Sequence, residues 1–132
     1  MDISVIAPIF NEEDNVDRLV KKIEVVLKNN FTTYEILLIN DGSTDKTKEI
    51  LDNLNNENVR VFHFEKNCGQ TAGIAAGFRK AEGNIIVTID ADLQTDPEDI
   101  MVLYSHINEY DMINGRRATR EDGIVKKVSS WV

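Results

Sequence analysis

Apolar runs and short polar clusters alternate along the chain. Three runs, ISVIAPIF from Ile3, YEILLIN from Tyr34 and NIIVTID from Asn84, are nearly continuous in apolar and β-branched residues. Such runs are typical of strands buried on both faces of a parallel sheet. Residues 59–64 alternate less cleanly, which favours a strand at the sheet edge, and a short fifth strand is predicted over residues 112–115.

The first predicted helix begins after Asn11, whose side chain is expected to cap it. Its inner face should consist of six apolar residues at helical spacing: Val16, Leu19, Val20, Ile23, Val26 and Leu27. The helix dipole alone explains the acids of its first turn, including Glu12.

Further helices are predicted from near Asp45, over residues 69–82 and, with Asp96 as the cap, over residues 100–107. Strands and helices therefore alternate five times. This order predicts a mostly parallel, three-layer α/β sheet. At 132 residues, the chain is expected to form one domain over residues 1–132.

The helix over residues 69–82 is rich in small residues and includes Gly73 and Gly77. A glycine in a helix interior costs about 1 kcal/mol relative to alanine. Something must therefore approach this helix closely. Packing on the sheet is the preferred explanation, with a ligand beside Gly73 as the alternative.

Composition and charge limit the classes of partner and the compartment that we expect. The apolar fraction of 42% is globular, and the net charge of −8 disfavours nucleic acid as a partner. The single cysteine, Cys68, the absence of a signal peptide and the lack of a long apolar run lead us to expect a cytoplasmic domain.

The C-terminal segment, residues 115–132, is basic on an otherwise acidic chain. It is expected to be a basic loop followed by the start of an amphipathic helix, formed by Ile124, Val125, Val128 and Trp131. Such a helix could lie at a membrane surface. Its cations would then approach a lipid phosphate: Arg116, Arg117, Arg120, Lys126 and Lys127.

Polar clusters follow the predicted strands at residues 11–12, 40–41, 90–94 and 116–117. Ligands of parallel α/β sheets bind beyond the carboxyl ends of the strands, where these clusters fall. Two acids separated by one residue, Asp90 and Asp92, repel each other unless a cation lies between them. Mg²⁺ or Mn²⁺ would take their oxygens together with substrate phosphates. The sequence thus predicts a site for a metal-bound diphosphate.

Five motifs taken together resemble the inverting family 2 glycosyltransferases of GT-A fold. They are PIFNEE from Pro8, INDGSTD from Ile39, NCGQTAG from Asn67, DADLQTDP from Asp90 and NGRRATRED from Asn114. The resemblance covers nearly the whole chain, in order. It is strongest to dolichyl-phosphate mannose synthase and the bacterial undecaprenyl-phosphate glycosyltransferases.

The resemblance implies a role for individual residues. The nucleotide base and ribose would be bound by Pro8, Phe10, Glu12, Ile39, Asp41, Asp90 and Ala91. Asp92 and Gln94 look like the positions for the metal and the diphosphate. Arg117 would contact the diphosphate or an incoming lipid phosphate, which makes Asp90, Asp92 and Arg117 the candidate catalytic residues.

The resemblance also implies an activity: inverting, metal-assisted transfer of a sugar from a nucleotide diphosphate, preferably UDP, to a polyprenyl phosphate at the membrane. Relatives usually continue into further catalytic and membrane-associated elements, so the chain is expected to be truncated.

Other functions stay open on the residues alone. A family 2 enzyme could instead act on a saccharide hydroxyl. Phosphoryl transfer of haloacid-dehalogenase type also uses a D-x-D, although usually on the first strand and without a glutamine at the place of Gln94. A non-catalytic nucleotide-binding or regulatory module is a further alternative. A dehydrogenase is disfavoured because the chain has no G-x-G-x-x-G motif.

Overall fold

The computed structural model describes residues 1–93, 95–117 and 125–131, with 114–117 and 125–131 described through their backbone. Its contacts divide the chain into two compact units, Met1–Thr95 and Asp96–Val132. The single domain expected over residues 1–132 stays a prediction.

The first unit is a parallel sheet with helices in its connections. Its strands are β1 (Ile3–Ile9), β2 (Tyr34–Asn40), β3 (Val59–His63) and β4 (Ile85–Thr88), and its helices are α1 (Val16–Asn30), α2 (Thr47–Asp52) and α3 (Gln70–Lys80). The strand order is β3-β2-β1-β4, and every pair is parallel. The predicted mostly parallel α/β sheet is confirmed, with β3 at an edge as expected.

Both faces of the two central strands are covered. Nearly every residue of β1 and β2 is buried, and successive side chains of a strand point to opposite faces. Helix α3 contacts β1 and β2, α1 contacts β2, α2 contacts β3, and α1 and α2 contact each other. The six apolar residues predicted for the inner face of α1 are all buried, which confirms that helix face.

The glycines of α3 are explained by sheet packing. A Cβ atom at Gly77 would overlap the side chain of Ile6, and one at Gly73 would lie 3.3 Å from Cβ of Pro8. Because the helix backbone rests directly on β1, side chains larger than hydrogen would push it away. The first of the two explanations offered for these residues is therefore correct.

The expectation for β4 was partly wrong. Residues Ile85–Thr88 are half-buried or exposed rather than buried on both faces. In the described part of the chain this strand pairs only with β1, so it forms an edge of the sheet. Just after β4, Ile89 is buried and its N–H donates to the carbonyl oxygen of Ile6, which holds the following loop against β1.

The second unit contains α4 (Asp99–Tyr104), β5 (Met112–Arg117) and β6 (Val125–Trp131). The predicted capping role of Asp96 is not confirmed, because α4 begins at Asp99 with Glu98 at the N-cap position, although the carboxylate of Asp96 accepts a hydrogen bond from the N–H of Glu98. The helix is shorter than expected and ends before Ile107. The fifth predicted strand does not extend the parallel sheet, because β5 pairs antiparallel with β6.

The predicted amphipathic helix at residues 124–131 is wrong, since Val125–Trp131 forms strand β6. So short a helix is marginal without tertiary support, and valine, serine and tryptophan are weaker helix formers than alanine. Pairing with β5 satisfies the backbone instead. Arg120 and Ile124 lie outside the described residues. Within the described residues, no helix has the length and apolar character needed to cross a membrane.

Candidate functional site

A cavity of about 400 Å³ opens at the carboxyl end of the parallel sheet. Binding sites for small molecules commonly have volumes of this order. The loops that follow β1, β2 and β4 and the start of α3 form its wall, with these residues: Pro8, Ile9, Phe10, Glu12, Asp41, Asn67, Gly69, Gln70, Asp90, Ala91 and Asp92. All of them belong to the first unit.

The cavity gathers most of the residues predicted for nucleotide binding. Seven of them line it: Pro8, Phe10, Glu12, Asp41, Asp90, Ala91 and Asp92. Ile39 and Gly73 do not. Ile39 is fully buried in the core, and a Cβ atom at Gly73 would lie 3.7 Å from its Cγ2. Both residues pack in the sheet and helix α3, and their predicted contacts with a nucleotide stay predictions.

The positions of two predicted residues relative to the cavity are not described. Gln94 lies outside the described residues. Arg117 ends β5 in the second unit, and its side chain is not described. Their proposed contacts with metal and phosphate stay predictions.

Asp41 organises one side of the cavity. Its carboxylate is only 3% exposed and accepts hydrogen bonds from the backbone N–H groups of Cys68, at 2.6 Å, and Gly69, at 2.9 Å. The neighbouring Gly42 has a φ of +68° and leaves no room for a Cβ atom against the backbone of Lys66. The loop between β3 and α3 is therefore held against the end of β2.

On the opposite side, the loop after β4 is tied to the start of α3. The side-chain amide of Gln70 donates to Oδ1 of Asp90 at 2.7 Å. Gly69, with a φ of +96°, precedes the helix in a conformation that favours glycine. Sequence reasoning missed the part of Asn67, Gly69 and Gln70 in the cavity wall. Their motif was noticed, but spacing alone could not place a loop between β3 and α3 beside Asp90.

Asn11 was expected to cap α1, and this expectation is wrong. The helix begins at Val16, and Asn11 has a left-handed φ of +49°. Its side-chain oxygen instead accepts hydrogen bonds from the N–H groups of Thr44, at 2.8 Å, and Asp45, at 3.3 Å. Asparagine tolerates this backbone conformation better than most residues, so it can join the loops after β1 and β2.

The same two loops are joined by further hydrogen bonds. The N–H of Glu12 donates to Oγ1 of Thr47, and the N–H of Lys46 donates to Glu13. Glu12 is thereby fixed where the loop enters the cavity wall. Interaction with the dipole of α1 alone therefore does not explain the acids at residues 12 and 13.

The acids of the cavity suit a hard divalent cation. Asp90 and Asp92 provide carboxylate oxygens at the mouth of β4, and both are exposed. Among the described residues, no group of three or more His, Cys, Asp or Glu side chains is placed to hold a metal. Mg²⁺ usually takes only one or two carboxylates, with phosphates and water as the other ligands. The donor set therefore fits a metal that arrives with a diphosphate.

Comparison with known families now identifies the class. Residues 4–131 match the family model for glycosyl transferase family 2. The chain belongs to this family, which confirms the resemblance seen in its motifs. The phosphoryl-transfer, regulatory and dehydrogenase alternatives are overturned by this match.

Two similar proteins are named after a polyprenyl phosphate. The undecaprenyl-phosphate 4-deoxy-4-formamido-L-arabinose transferase of Photorhabdus laumondii is 37% identical, with 98% of this chain and 41% of that protein covered. The dodecaprenyl-phosphate galacturonate synthase of Rhizobium johnstonii is 36% identical, with 99% and 40% covered. The chain thus spans about 40% of the length of these curated relatives.

Solved structures agree on the fold, which is that of GT-A glycosyltransferases. The crystal structure of S. aureus TarS in complex with UDP has a TM-score of 0.68 and 26% identity, covering 91% of this chain and 38% of that one. Glucosyl-3-phosphoglycerate synthase from Mycobacterium tuberculosis, in complex with Mn²⁺ and UDP, has a TM-score of 0.63 and 23% identity. It covers 80% of this chain and 39% of its own. At that identity the likeness concerns the fold alone.

Proposed function

We propose that this chain binds a nucleotide-diphospho-sugar and forms the donor-binding part of an enzyme that transfers the sugar to a polyprenyl phosphate. The observation that carries the proposal is the gathering of seven predicted residues around one cavity at the carboxyl edge of the sheet. The names of the similar polyprenyl-phosphate transferases and the UDP complex of TarS support it.

The apolar part of the cavity wall suits a nucleotide base. Phe10 is 44% exposed although it is aromatic and lies beside Pro8 and Ile9. A base stacked on this ring would bury it. Asp41 is an acceptor when ionised, so it favours a base with an N–H donor at its edge, such as uracil or guanine. Cytosine offers an acceptor at the corresponding ring nitrogen, and we therefore expect UDP or GDP rather than CDP.

The charge of the wall supports a metal. Among the described residues that line the cavity, four are acids, namely Glu12, Asp41, Asp90 and Asp92, and none is Lys or Arg. A diphosphate would be repelled by this set unless a cation accompanied it. In the proposal Asp92, with Gln94, holds Mg²⁺ or Mn²⁺. When bound, the metal neutralises the charge that develops on the departing diphosphate.

A polyprenyl phosphate needs little help as the attacking group. A phosphate monoester has a second pKa near 6, so its oxygen is already anionic at about pH 7. In the proposal no protein base is required, and Arg117 contacts one of the phosphates. The basic segment that includes Lys126 and Lys127 would lie near the membrane. A saccharide hydroxyl as acceptor would instead require a general base.

Titration of UDP, GDP and CDP in the presence and absence of Mn²⁺ tests the donor half of the proposal. Wild type should bind UDP or GDP at least roughly ten-fold more tightly with the metal, because charge repulsion is then relieved. Asp92→Asn should lose this gain. Asp17→Asn, which removes an exposed acid of α1, should keep it. Equal affinities with and without metal in wild type would contradict a role for the metal in nucleotide binding.

The acceptor half is tested in the full-length protein. Sugar transfer should be detected to a short-chain polyprenyl phosphate, and Arg117→Ala should reduce its rate. Transfer to a saccharide and none to the lipid phosphate would favour the alternative acceptor.

A further inference from the structure

We propose that Gln70 is a positioning residue: its side-chain amide holds one oxygen of Asp90 and leaves the other to accept a hydrogen bond from a ribose hydroxyl of the bound nucleotide. This inference rests on the proposed function. It concerns a residue to which neither the motifs nor the similar proteins assign a role.

The contact itself is short and specific. Nε2 of Gln70 donates to Oδ1 of Asp90 at 2.7 Å, and both residues line the cavity. The carboxylate of Asp90 is exposed, so in the absence of a partner it could rotate about its side-chain bonds. A hydrogen bond to an ionised acceptor is stronger than one between neutral groups, which makes it able to select one orientation.

Hydrogen bonds and helix packing fix the backbone on both sides of Gln70. The N–H groups of Cys68 and Gly69 donate to the buried carboxylate of Asp41, and Gln70 follows directly as the first residue of α3. Helix α3 lies on the sheet through Gly73. The side-chain amide that donates to Asp90 therefore projects from a backbone segment, residues 68–73, that is fixed at both ends.

The chemistry of the wall indicates what Asp90 would bind. An ionised carboxylate binds a cation or a hydrogen-bond donor, and since Asp92 with Gln94 holds the metal in the proposed function, a donor is left as the partner of Asp90. Phosphate oxygens are acceptors and carry negative charge, whereas the two ribose hydroxyls of a nucleotide are donors. With Oδ1 taken by Gln70, Oδ2 is left for the 2′- or the 3′-hydroxyl of the ribose.

Calorimetric titration of the chain with UDP, 2′-deoxy-UDP and 3′-deoxy-UDP, each with Mn²⁺, tests this inference. Wild type should prefer UDP roughly ten-fold over the nucleotide that lacks the bound hydroxyl, the scale of one hydrogen bond to a charged group. In Gln70→Ala this preference should fall to roughly two-fold, with little change in affinity for that deoxy nucleotide. Thr71→Ala, an exposed neighbour outside the cavity wall, is the matched control and should behave as wild type.

A double-mutant cycle with Asp90→Asn separates positioning from simple wall contact. If Gln70 acts through Asp90, adding Gln70→Ala to Asp90→Asn should change UDP affinity by less than roughly two-fold. Additive losses, or a full preference for UDP in Gln70→Ala, would overturn the positioning role while leaving nucleotide binding intact. Failure of wild type to bind either nucleotide would instead overturn the proposed function, and this inference with it. Unchanged circular dichroism and melting would show that each variant folds.

Discussion

Two buried acids lie at opposite ends of β2 and have different surroundings. Glu35, near the start of the strand, is 2% exposed, and Asp41, just beyond its end, is 3% exposed. Glu35 accepts hydrogen bonds from Oγ of Ser4 at 2.6 Å, the N–H of Glu82 at 2.7 Å and the guanidinium of Arg60 at 3.0 Å. Asp41 accepts from two backbone N–H groups and faces the cavity.

The difference separates an acid whose charge is balanced within the protein from an acid that we propose binds the nucleotide. The charge of Glu35 is balanced within the protein by Arg60, whose side chain also lies 5.3 Å from the ring centroid of Phe62. Within the described residues Asp41 has no ion pair, and the residues around it in the cavity wall add negative charge. The two acids are equally buried, so it is the bordering cavity and the lack of an ion pair within the described residues that favour Asp41 as the proposed binding residue.

The largest effect is expected at the cavity end. Asp41→Asn replaces one acceptor oxygen by an NH₂ group, which must then face the N–H of Cys68 or Gly69. The loop between β3 and α3 should lose its anchor, and UDP affinity should fall roughly 100-fold, since two hydrogen bonds to a charged group are affected. Calorimetric titration measures this loss. An affinity within a few fold of wild type would show that Asp41 is no more a binding residue than Glu35.

A smaller effect, on stability alone, is expected at the other end. Glu35→Ala leaves Ser4 and the N–H of Glu82 without their acceptor and Arg60 without its ion-pair partner. Because Arg60 is partly exposed and can be solvated, the free energy of unfolding should fall by about 2 kcal/mol. Urea unfolding measures the change, and UDP affinity of the folded variant should be unaltered. A large loss of affinity would mean that the two ends of β2 are coupled.

The smallest effect concerns acid. Burial by itself would raise the pKa of Glu35, but hydrogen bonds from Ser4, Glu82 and Arg60 and the charge of Arg60 outweigh it, so the pKa is lowered below 4.5. Its contribution to stability is therefore present above pH 4.5 and is lost as the pH falls through the lowered folded value.

Other acids also have lowered pKa values, among them Asp2, Asp45 and Asp52, so the comparison must be made between variants. Between pH 7 and pH 3, Glu35→Gln should lose less unfolding free energy than wild type. Parallel pH profiles for the two proteins would contradict the role of the Glu35 charge.

Much of the first unit could be predicted from periodicity. Buried parallel strands have continuous apolar runs, and the inner face of α1 follows helical spacing, so both were identified. Residues at the carboxyl ends of the strands could also be placed, since parallel topology brings them to one edge. From the polar clusters placed there, Glu12, Asp41, Asp90, Ala91 and Asp92 do line the cavity, whereas Pro8 and Phe10 were implied by the family resemblance alone.

The failures have a common physical cause. Asn11 was taken as a local cap, yet its partners Thr44 and Asp45 lie more than thirty residues away in the chain. Likewise, the segment Val125–Trp131 forms a strand because β5 pairs with it, not because of its own spacing. Contacts between distant segments decide such positions, and local pattern does not contain them. The Gln70 to Asp90 contact was missed for the same reason.

Backbone amide chemical shifts measured during a UDP titration in Mg²⁺ test the central claim most directly, because they compare both ends of the sheet in one experiment. We expect the N–H signals of Gly69, Gln70 and Ala91 to shift on binding, while those of Glu82 and Gly83, beside Glu35, stay in place. Shifts confined to the Glu35 end, or no shifts at saturating UDP, would contradict the assignment of the cavity as the nucleotide site.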